Sequence, residues 1–340
     1  MMKSRNRTAD LLKGVAVILM VQVHIVELFA QQSIFDSFAG SIFLFLGGPP
    51  AAPVFMTVMG YFIAKGSANI SKSIVRGFKL IGFGLLLNFG LNFHLFIKIY
   101  NQTIVASQWP YLFGVDILFL AGLSIILISV FQKIFKKKLI IYILLIILIF
   151  LIPILLSYPE NTGAISYFMA LFYSDVWWSY FPVIPWLAYP VAGFLFYLVE
   201  PSINNIIKRR TYRVMIISIS AIALILTIRY GISIASNLHA YYHHDFLYYL
   251  FVVNFMIFWS LLFNIITSFS KNYLTDYIEW MGRNVTVYYV IQWLIIGNIA
   301  TGIYKTQNSV QLIIWFAAII AITSLLTFLW NKRKSLMQFF

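Results

Sequence analysis

Ten apolar stretches divide this chain, each near the roughly 20 residues needed to cross a bilayer core. They run approximately over 11–30, 42–64, 80–99, 112–131, 139–156, 181–199, 214–235, 247–269, 284–304 and 310–330. Backbone groups in hydrocarbon must be hydrogen-bonded within the segment, so these stretches predict helices. The expected fold class is an all-α polytopic membrane protein of about ten transmembrane helices. Only 10% of the 340 residues are charged and 61% are hydrophobic, whereas soluble domains carry about a quarter charged residues. No soluble domain, low-complexity linker or fixed-period repeat interrupts the pattern. The first apolar run is too long for a signal-peptide core and lacks a small-residue cleavage site, so it is expected to be retained. The chain has no cysteine, which excludes disulfide and thiolate chemistry.

A net charge of +14 first suggests a nucleic-acid partner, but the basic residues sit in short clusters between apolar runs. With the N-terminus cytoplasmic, the inner clusters are Lys3, Arg5, Arg7 and Lys13, then Lys65, Lys72, Arg76 and Lys79, then Lys133 and Lys136 to Lys138. Lys208 to Arg210 with Arg213, Lys271 with Arg283, and Lys332 to Lys334 complete them. They hold 21 of the 24 Lys and Arg, leaving Lys98, Arg229 and Lys305 outside. The positive-inside rule therefore predicts an N-in, C-in topology, with membrane lipids as partners and no nucleic acid. Trp109, Trp177 and Trp178 lie near predicted helix ends, as interfacial belts require.

The first span, "ADLLKGVAVILMVQVHIVELFA" at 9–30, carries ionisable groups that are expensive in hydrocarbon. At about 100° per residue, Asp10, Lys13, His24 and Glu27 fall on one stripe running past the midplane. Asp10 and Lys13 can form an interfacial pair. His24 lies deep in the span, where an imidazole can take a proton or an acyl group and Glu27 can fix its tautomer. The alternative is a histidine that only hydrogen-bonds a neighbouring helix.

Other polar residues offer candidate sites. Lys72, Arg76 and Lys79 share a helical face at i, i+4, i+7 spacing; they suit donor phosphates or anionic headgroups. "GGPPAAPVF" at 47–55 predicts non-helical backbone at the outer end of the second span, packed in protein or lining a cavity. Asp116, a few residues inside the outer end of span four, needs a partner such as His24 or Arg229 and is a candidate to orient His24 or an acceptor hydroxyl. In "NLHAYYHHDFLYY" at 237–249, His239, His243 and Asp245 are candidates for sugar contact or interfacial anchoring. Zinc at His239 and His243 lacks further motif support, and no metal is predicted. Asn284 and Gln292 on span nine are expected to bond between helices.

"RTADLLKGVAVILMVQVH" at 7–24 resembles the first-helix signature of transmembrane acyltransferases, in which Arg or Lys precedes a His by eleven residues, as Lys13 precedes His24. Its opening at Arg7, Asp10, Lys13 and Gly14 is similar to the heparan-α-glucosaminide N-acetyltransferase-like branch. So are "GGPPAAPVFMTVMGYF" at 47–62, "RGFKLIGFGLLLN" at 76–88, "GVDILFLAGLSIIL" at 114–127, "YFPVIPWLAYPVAGFLF" at 180–196 and "WMGRNVTVYYVIQW" at 280–293, in the expected order. Arg76 and Lys79 resemble the Arg-x-x-Arg element of related acyltransferases, with Lys in second place. In the lysosomal enzyme of this branch the acyl-accepting His lies in the loop after the first helix. Residues 31 to 46 here contain no His, so the catalytic role carries over onto His24 by the broader acyltransferase pattern.

The resemblance implies one acyltransferase-like domain over 1–340 with acetyl-CoA as acyl donor. The expected function is transfer of an acyl group, acetyl foremost, from cytoplasmic acyl-CoA to a glycan or amino-sugar acceptor at the outer face of the cell membrane. The implied roles are catalytic for His24, Glu27 and Asp116, donor-binding for Lys13, Lys72, Arg76 and Lys79, and acceptor-binding for His239, His243 and Asp245. A homodimer is left open. The alternative is a proton-coupled secondary transporter of a small anionic or sugar solute, although no corresponding pair of broken helices recurs in two halves of the chain.

Overall fold

The computed structural model describes residues 6–66, 69–159, 163–269 and 271–336. Lys3 and Arg5, with the side chain of Lys334, lie outside the described residues. The helices are α1 (Arg7–Phe29), α2 (Gln32–Phe35), α3 (Phe38–Gly47), α4 (Ala52–Lys65), α5 (Ile70–Leu91), α6 (Phe93–Tyr100), α7 (Trp109–Leu112), α8 (Ile117–Phe135) and α9 (Leu139–Leu155). Then come α10 (Ile165–Met169), α11 (Val183–Trp186), α12 (Ala188–Ile207), α13 (Arg210–Ala235), α14 (Leu238–Tyr242), α15 (Phe246–Phe269), α16 (Tyr273–Arg283), α17 (Val285–Ile303) and α18 (Ser309–Leu336). β-type pairing among the described residues is limited to an isolated bridge between Ala30 and Gln307.

All ten predicted apolar stretches are mainly helical, although 80–99 runs from α5 across a turn at Asn92 into α6 and residues 113–116 precede α8. This is an all-α polytopic membrane protein. Among the described residues nine helical stretches are long and apolar enough to span; the tenth, α9, is shorter at 17 residues. Ile140, Leu144 and Leu148 of α9 are exposed, the pattern of a helix whose outer face meets lipid.

The second span is broken, as its prolines predict. α3 ends at Gly47, residues 48–51 form turns, and α4 restarts at Ala52. The break comes ten residues into the Phe38–Lys65 stretch, not at its outer end as the sequence suggested, because the helix begins four residues earlier than hydropathy indicates. Gly47 to Ala51 are all buried, so the interrupted ladder is enclosed by protein.

The chain forms two compact units. One contains residues 1–52, 90–105 and 259–340, the other residues 53–89 and 106–258. In the first, α1 packs against α3, α16, α17 and α18. The end of α1 is closed by backbone pairing: Lys305 N–H donates to Leu28 O at 3.0 Å and Gln307 N–H to Phe29 O at 2.8 Å. Carbonyls left over at a helix end are thereby satisfied. In the second unit α9 packs on α12, with Tyr142 stacked on Phe194 at 4.2 Å between ring centroids.

Glycines set the closest helix approaches, and they pair the sequence motifs. A Cβ on Gly14 would lie 1.9 Å from Ile278 O, and one on Gly282 would lie 1.9 Å from Asp10 O, so α1 and α16 meet backbone to backbone. In the second unit, Gly60 stands likewise against Pro190 and Gly193 against Thr57, while Gly77 and Gly122 face each other's carbonyls. The segments at 7–24 and 280–293, 47–62 and 180–196, and 76–88 and 114–127 are thus partners in three tight contacts of the small-residue kind.

Candidate active site

α1 presents its polar stripe to protein. At its start, Arg7 Nη2–H donates to Glu279 Oε1 at 2.8 Å and Arg7 Nη1–H to Thr267 O at 3.1 Å. Three residues on, Lys13 Nζ lies 3.0 Å from Asp10 Oδ1, with side-chain exposures of 18% and 8%. This is the expected Asp10–Lys13 pair, but it is packed against α16 and not spread on a wet interface. The Lys13 ammonium already has a carboxylate partner, so any donor contact would be shared with Asp10.

About 16 Å further along α1 by helical rise, His24 meets α17. Its Nδ1 lies 3.2 Å from Gln292 Oε1, and its ring lies 3.9 Å from that of Trp293 at 32°. With the amide oxygen toward the ring, Nδ1–H donates and the lone pair falls on Nε2. His24 is partly buried, and Nε2 has no hydrogen bond among the described residues and is not a sealed atom. Gln292 is 0% exposed, with its Nε2 enclosed and unpaired. Gln292 does bond between helices, as expected of it, but its partner is the candidate catalytic histidine. A Gln followed by Trp inside a span was the available signal.

Glu27 does not hold the imidazole. Its electrostatic neighbour is Lys305, which follows α17 in a left-handed conformation (φ 57°) with its ammonium 3.4 Å from the centre of the Phe35 ring. Burial lowers the Lys305 pKa, and Glu27 and Asp36 oppose that shift. The expectation that Glu27 fixes the His24 tautomer is replaced by Gln292 in that role. The amide is one helix away and meets the ring directly.

The basic face of α5 has the predicted composition. Ser71, Lys72, Val75, Arg76 and Lys79 line an open groove of about 440 Å³. Lys72, Arg76 and Lys79 are exposed, beside exposed Val75 and Phe78. The cationic heads are exposed and can meet phosphate oxygens.

Asp116 occupies a different place from the one expected. It is the N-cap of α8, and its Oδ1 accepts from Leu118 N–H at 2.9 Å and Phe119 N–H at 3.2 Å. Capping satisfies two amides that the first helical turn leaves unpaired. Asp245 is committed in the same way, accepting from Tyr248 N–H at 2.9 Å and from Tyr230 Oη–H at 3.1 Å.

His239 and His243 come together, with ring centroids 4.9 Å apart. His243 lies 6.3 Å from Tyr158, itself stacked on Tyr173 at 4.6 Å. Burial pushes the His243 pKa down to about 4; His239 acts in the same direction and Asp175 against it. A neutral imidazole among tyrosines offers hydrogen bonds and ring faces without charge. His244, which the sequence groups with these histidines, is turned inward and only 4% exposed. Its Nδ1–H donates to Tyr241 O at 2.8 Å and its Nε2 accepts from Tyr189 Oη–H at 2.9 Å. No group of three His, Asp or Glu that could hold a metal ion occurs among the described residues.

The catalytic-domain signature of the family described as heparan-alpha-glucosaminide N-acetyltransferase, catalytic, matches residues 5–215. No curated protein matches the chain. The match takes in α1 with His24, the broken second span and the basic face of α5. Gln292 and Trp293, which hold His24, lie beyond it. Matching the signature over more than half of its length, the chain belongs to this family of membrane N-acetyltransferases.

Proposed function

We propose that the protein transfers an acetyl group from cytoplasmic acetyl-CoA to the amine or hydroxyl of a glycan or amino sugar at the outer face of the cell membrane. The observation that carries this reading is His24. Its Nδ1–H is engaged by Gln292, so its Nε2 lone pair is available inside a membrane helix. A neutral imidazole held this way can serve as general base on the acceptor or as transient acyl carrier.

The acetyl thioester supplies an activated acyl group. Lys72, Arg76 and Lys79 attract its phosphates, and Lys13, paired with Asp10, adds positive potential at the same predicted side of the membrane. Glu27, balanced by Lys305, keeps a carboxylate three residues from His24 for protons leaving the imidazole. Asp116, whose Oδ1 caps α8, orients the acceptor hydroxyl in this reading. His239 and His243 contact the acceptor, with Asp245 positioning that loop through its cap on α15. The N-in, C-in topology fits these assignments, and residues 1–340 act as one catalytic domain. A homodimer is compatible with this reading.

The test is labelled acetyl transfer by purified protein in liposomes, comparing wild type with His24→Ala and His24→Asn. Asn replaces the hydrogen bond but takes no proton at neutral pH. Both variants are expected to lose about 10²–10⁴-fold in rate while remaining folded, the Asn variant melting close to the wild type because it keeps a hydrogen bond. An active, stable His24→Asn protein would overturn the assignment. Solute uptake by the wild type without acetyl transfer would favour a transporter.

A further inference from the structure

Besides His24, the first unit contains one other histidine, His94, which neither the sequence motifs nor the family match single out. It opens α6, just past the end of α5 that the topology predicts to face outward. Phe93, Ile97 and Tyr100 form the exposed apolar side of α6. His94 and Lys98, at i, i+4 spacing, turn instead toward α17.

His94 is held there by the backbone and the side chain of Asn298. Its Nδ1–H donates to Asn298 O at 3.1 Å, and its own N–H donates to Asn298 Oδ1 at 2.9 Å. Asn298 Nδ2–H in turn donates to Gly90 O at 2.8 Å and to Leu294 O at 2.9 Å. Lys98 Nζ–H donates to Thr301 O at 3.2 Å. A Cβ on Gly297 would lie 2.5 Å from Leu91 O, so the 90–94 turn lies directly on α17.

These bonds determine the tautomer. A backbone carbonyl only accepts, so the neutral ring carries its proton on Nδ1 and its lone pair on Nε2. Nε2 has no partner among the described residues, and the residue is only partly buried, so this nitrogen is not sealed in the interior. The same helix presents Gln292 to His24 six residues earlier, about 9 Å back along the axis. α17 thus fixes two imidazoles, each through Nδ1 and each with Nε2 left open.

We propose that His94 is the acceptor-side base of the transfer, a role that rests on the acetyltransferase reading above. As the acceptor nitrogen or oxygen bonds to the acyl carbonyl carbon, its proton passes to His94 Nε2. The bond from that carbon to its leaving atom breaks, the thioester sulfur in direct transfer or a His24 ring nitrogen in a relayed one. The leaving atom keeps the electron pair. In direct transfer the thiolate sulfur takes up a proton. In a relayed one the thiolate has already left and been protonated as His24 Nε2 took the acyl group, and His24, with Nδ1–H in place, leaves as neutral imidazole. The His94 imidazolium returns its proton to solvent at the outer side.

The test uses the full-length protein in liposomes with acetyl-CoA and glucosamine as probe acceptor. His94→Asn is the informative variant, because its Nδ2–H can still donate to the Asn298 carbonyl but the side chain takes no proton. Expected are an unchanged melting temperature, unchanged acetyl-CoA affinity by calorimetry, and kcat lowered about 10²–10⁴-fold. Wild-type kcat in the stable Asn variant would overturn the proposal. Should that variant melt early, carbethoxylation of the wild type from the outer side, mapped by mass spectrometry, decides. Modification of His94 in step with loss of transfer supports the role; an unmodified His94 overturns it. A wild-type protein that modifies at His94 yet transfers no acetyl group would instead overturn the acetyltransferase reading, and the base role with it.

Discussion

His24 and Gln292 meet 268 positions apart in the chain, Nδ1 to Oε1 at 3.2 Å, across α1 and α17. The amide is fully buried, so the imidazole is aligned by a group that water does not reach. Gln292→Leu removes the acceptor for Nδ1–H, a loss of about 1–3 kcal/mol when the partner stays buried. Acetyl transfer is expected to fall at least tenfold in kcat with little change in donor KM. Gln292→Glu retains an acceptor oxygen and should keep more activity than Leu. Equal activity in the Leu variant and the wild type would remove Gln292 from the site.

Gly282 and Gly14 control how closely α1 and α16 approach. A Cβ on either would stand 1.9 Å from a backbone oxygen of the other helix, and backbone has no rotamer to move out of the way. Gly282→Ala is therefore expected to destabilise the protein by about 1–3 kcal/mol through overpacking. The measurement is the melting temperature in detergent. Gly302→Ala, where nothing lies within 4 Å of the new Cβ, is the matched control and should melt with the wild type.

Arg76 and Lys79 are exposed on α5, so replacing both with Ala should leave stability within about 0.5 kcal/mol of wild type. If they hold donor phosphates, the double variant raises the KM for acetyl-CoA about tenfold or more, at about 1.4 kcal/mol per decade, with kcat preserved. Calorimetry giving the same acetyl-CoA affinity in variant and wild type would leave the basic face to lipid headgroups.

His243 and His244 link stability to pH. Burial lowers both to about 4 from an ordinary value of 6.5; for His244, the Tyr241 carbonyl and Asp245 oppose the shift. The unfolded chain therefore binds more protons than the folded protein between those values. Stability is full above about pH 6.5, falls as pH drops toward 4, and levels off below. Thermal melts across that window should show the decline, and His243→Gln should make it shallower. An unchanged slope in that variant would assign the acid sensitivity to other groups.

The sequence determined the solvent of this protein, its ten apolar helices, the break in the second span and the polar stripe of α1. Each follows from local pattern: run length, the missing amide of proline and the 100° turn of a helix. The basic face of α5 was legible for the same reason, since Lys72, Arg76 and Lys79 belong to one helix. Partners distant in the chain were decided only by tertiary structure. Asp116 and Asp245 are equally carboxylates in the sequence, and only the start of the adjoining helix shows that each caps it. Glu27 is three residues from His24, yet Gln292 and Trp293, far along the chain, take the imidazole. Periodicity specifies which face of a helix is polar. Which helix packs there depends on close backbone approach at Gly14 and Gly282, and on burial that a pattern of single residues does not encode.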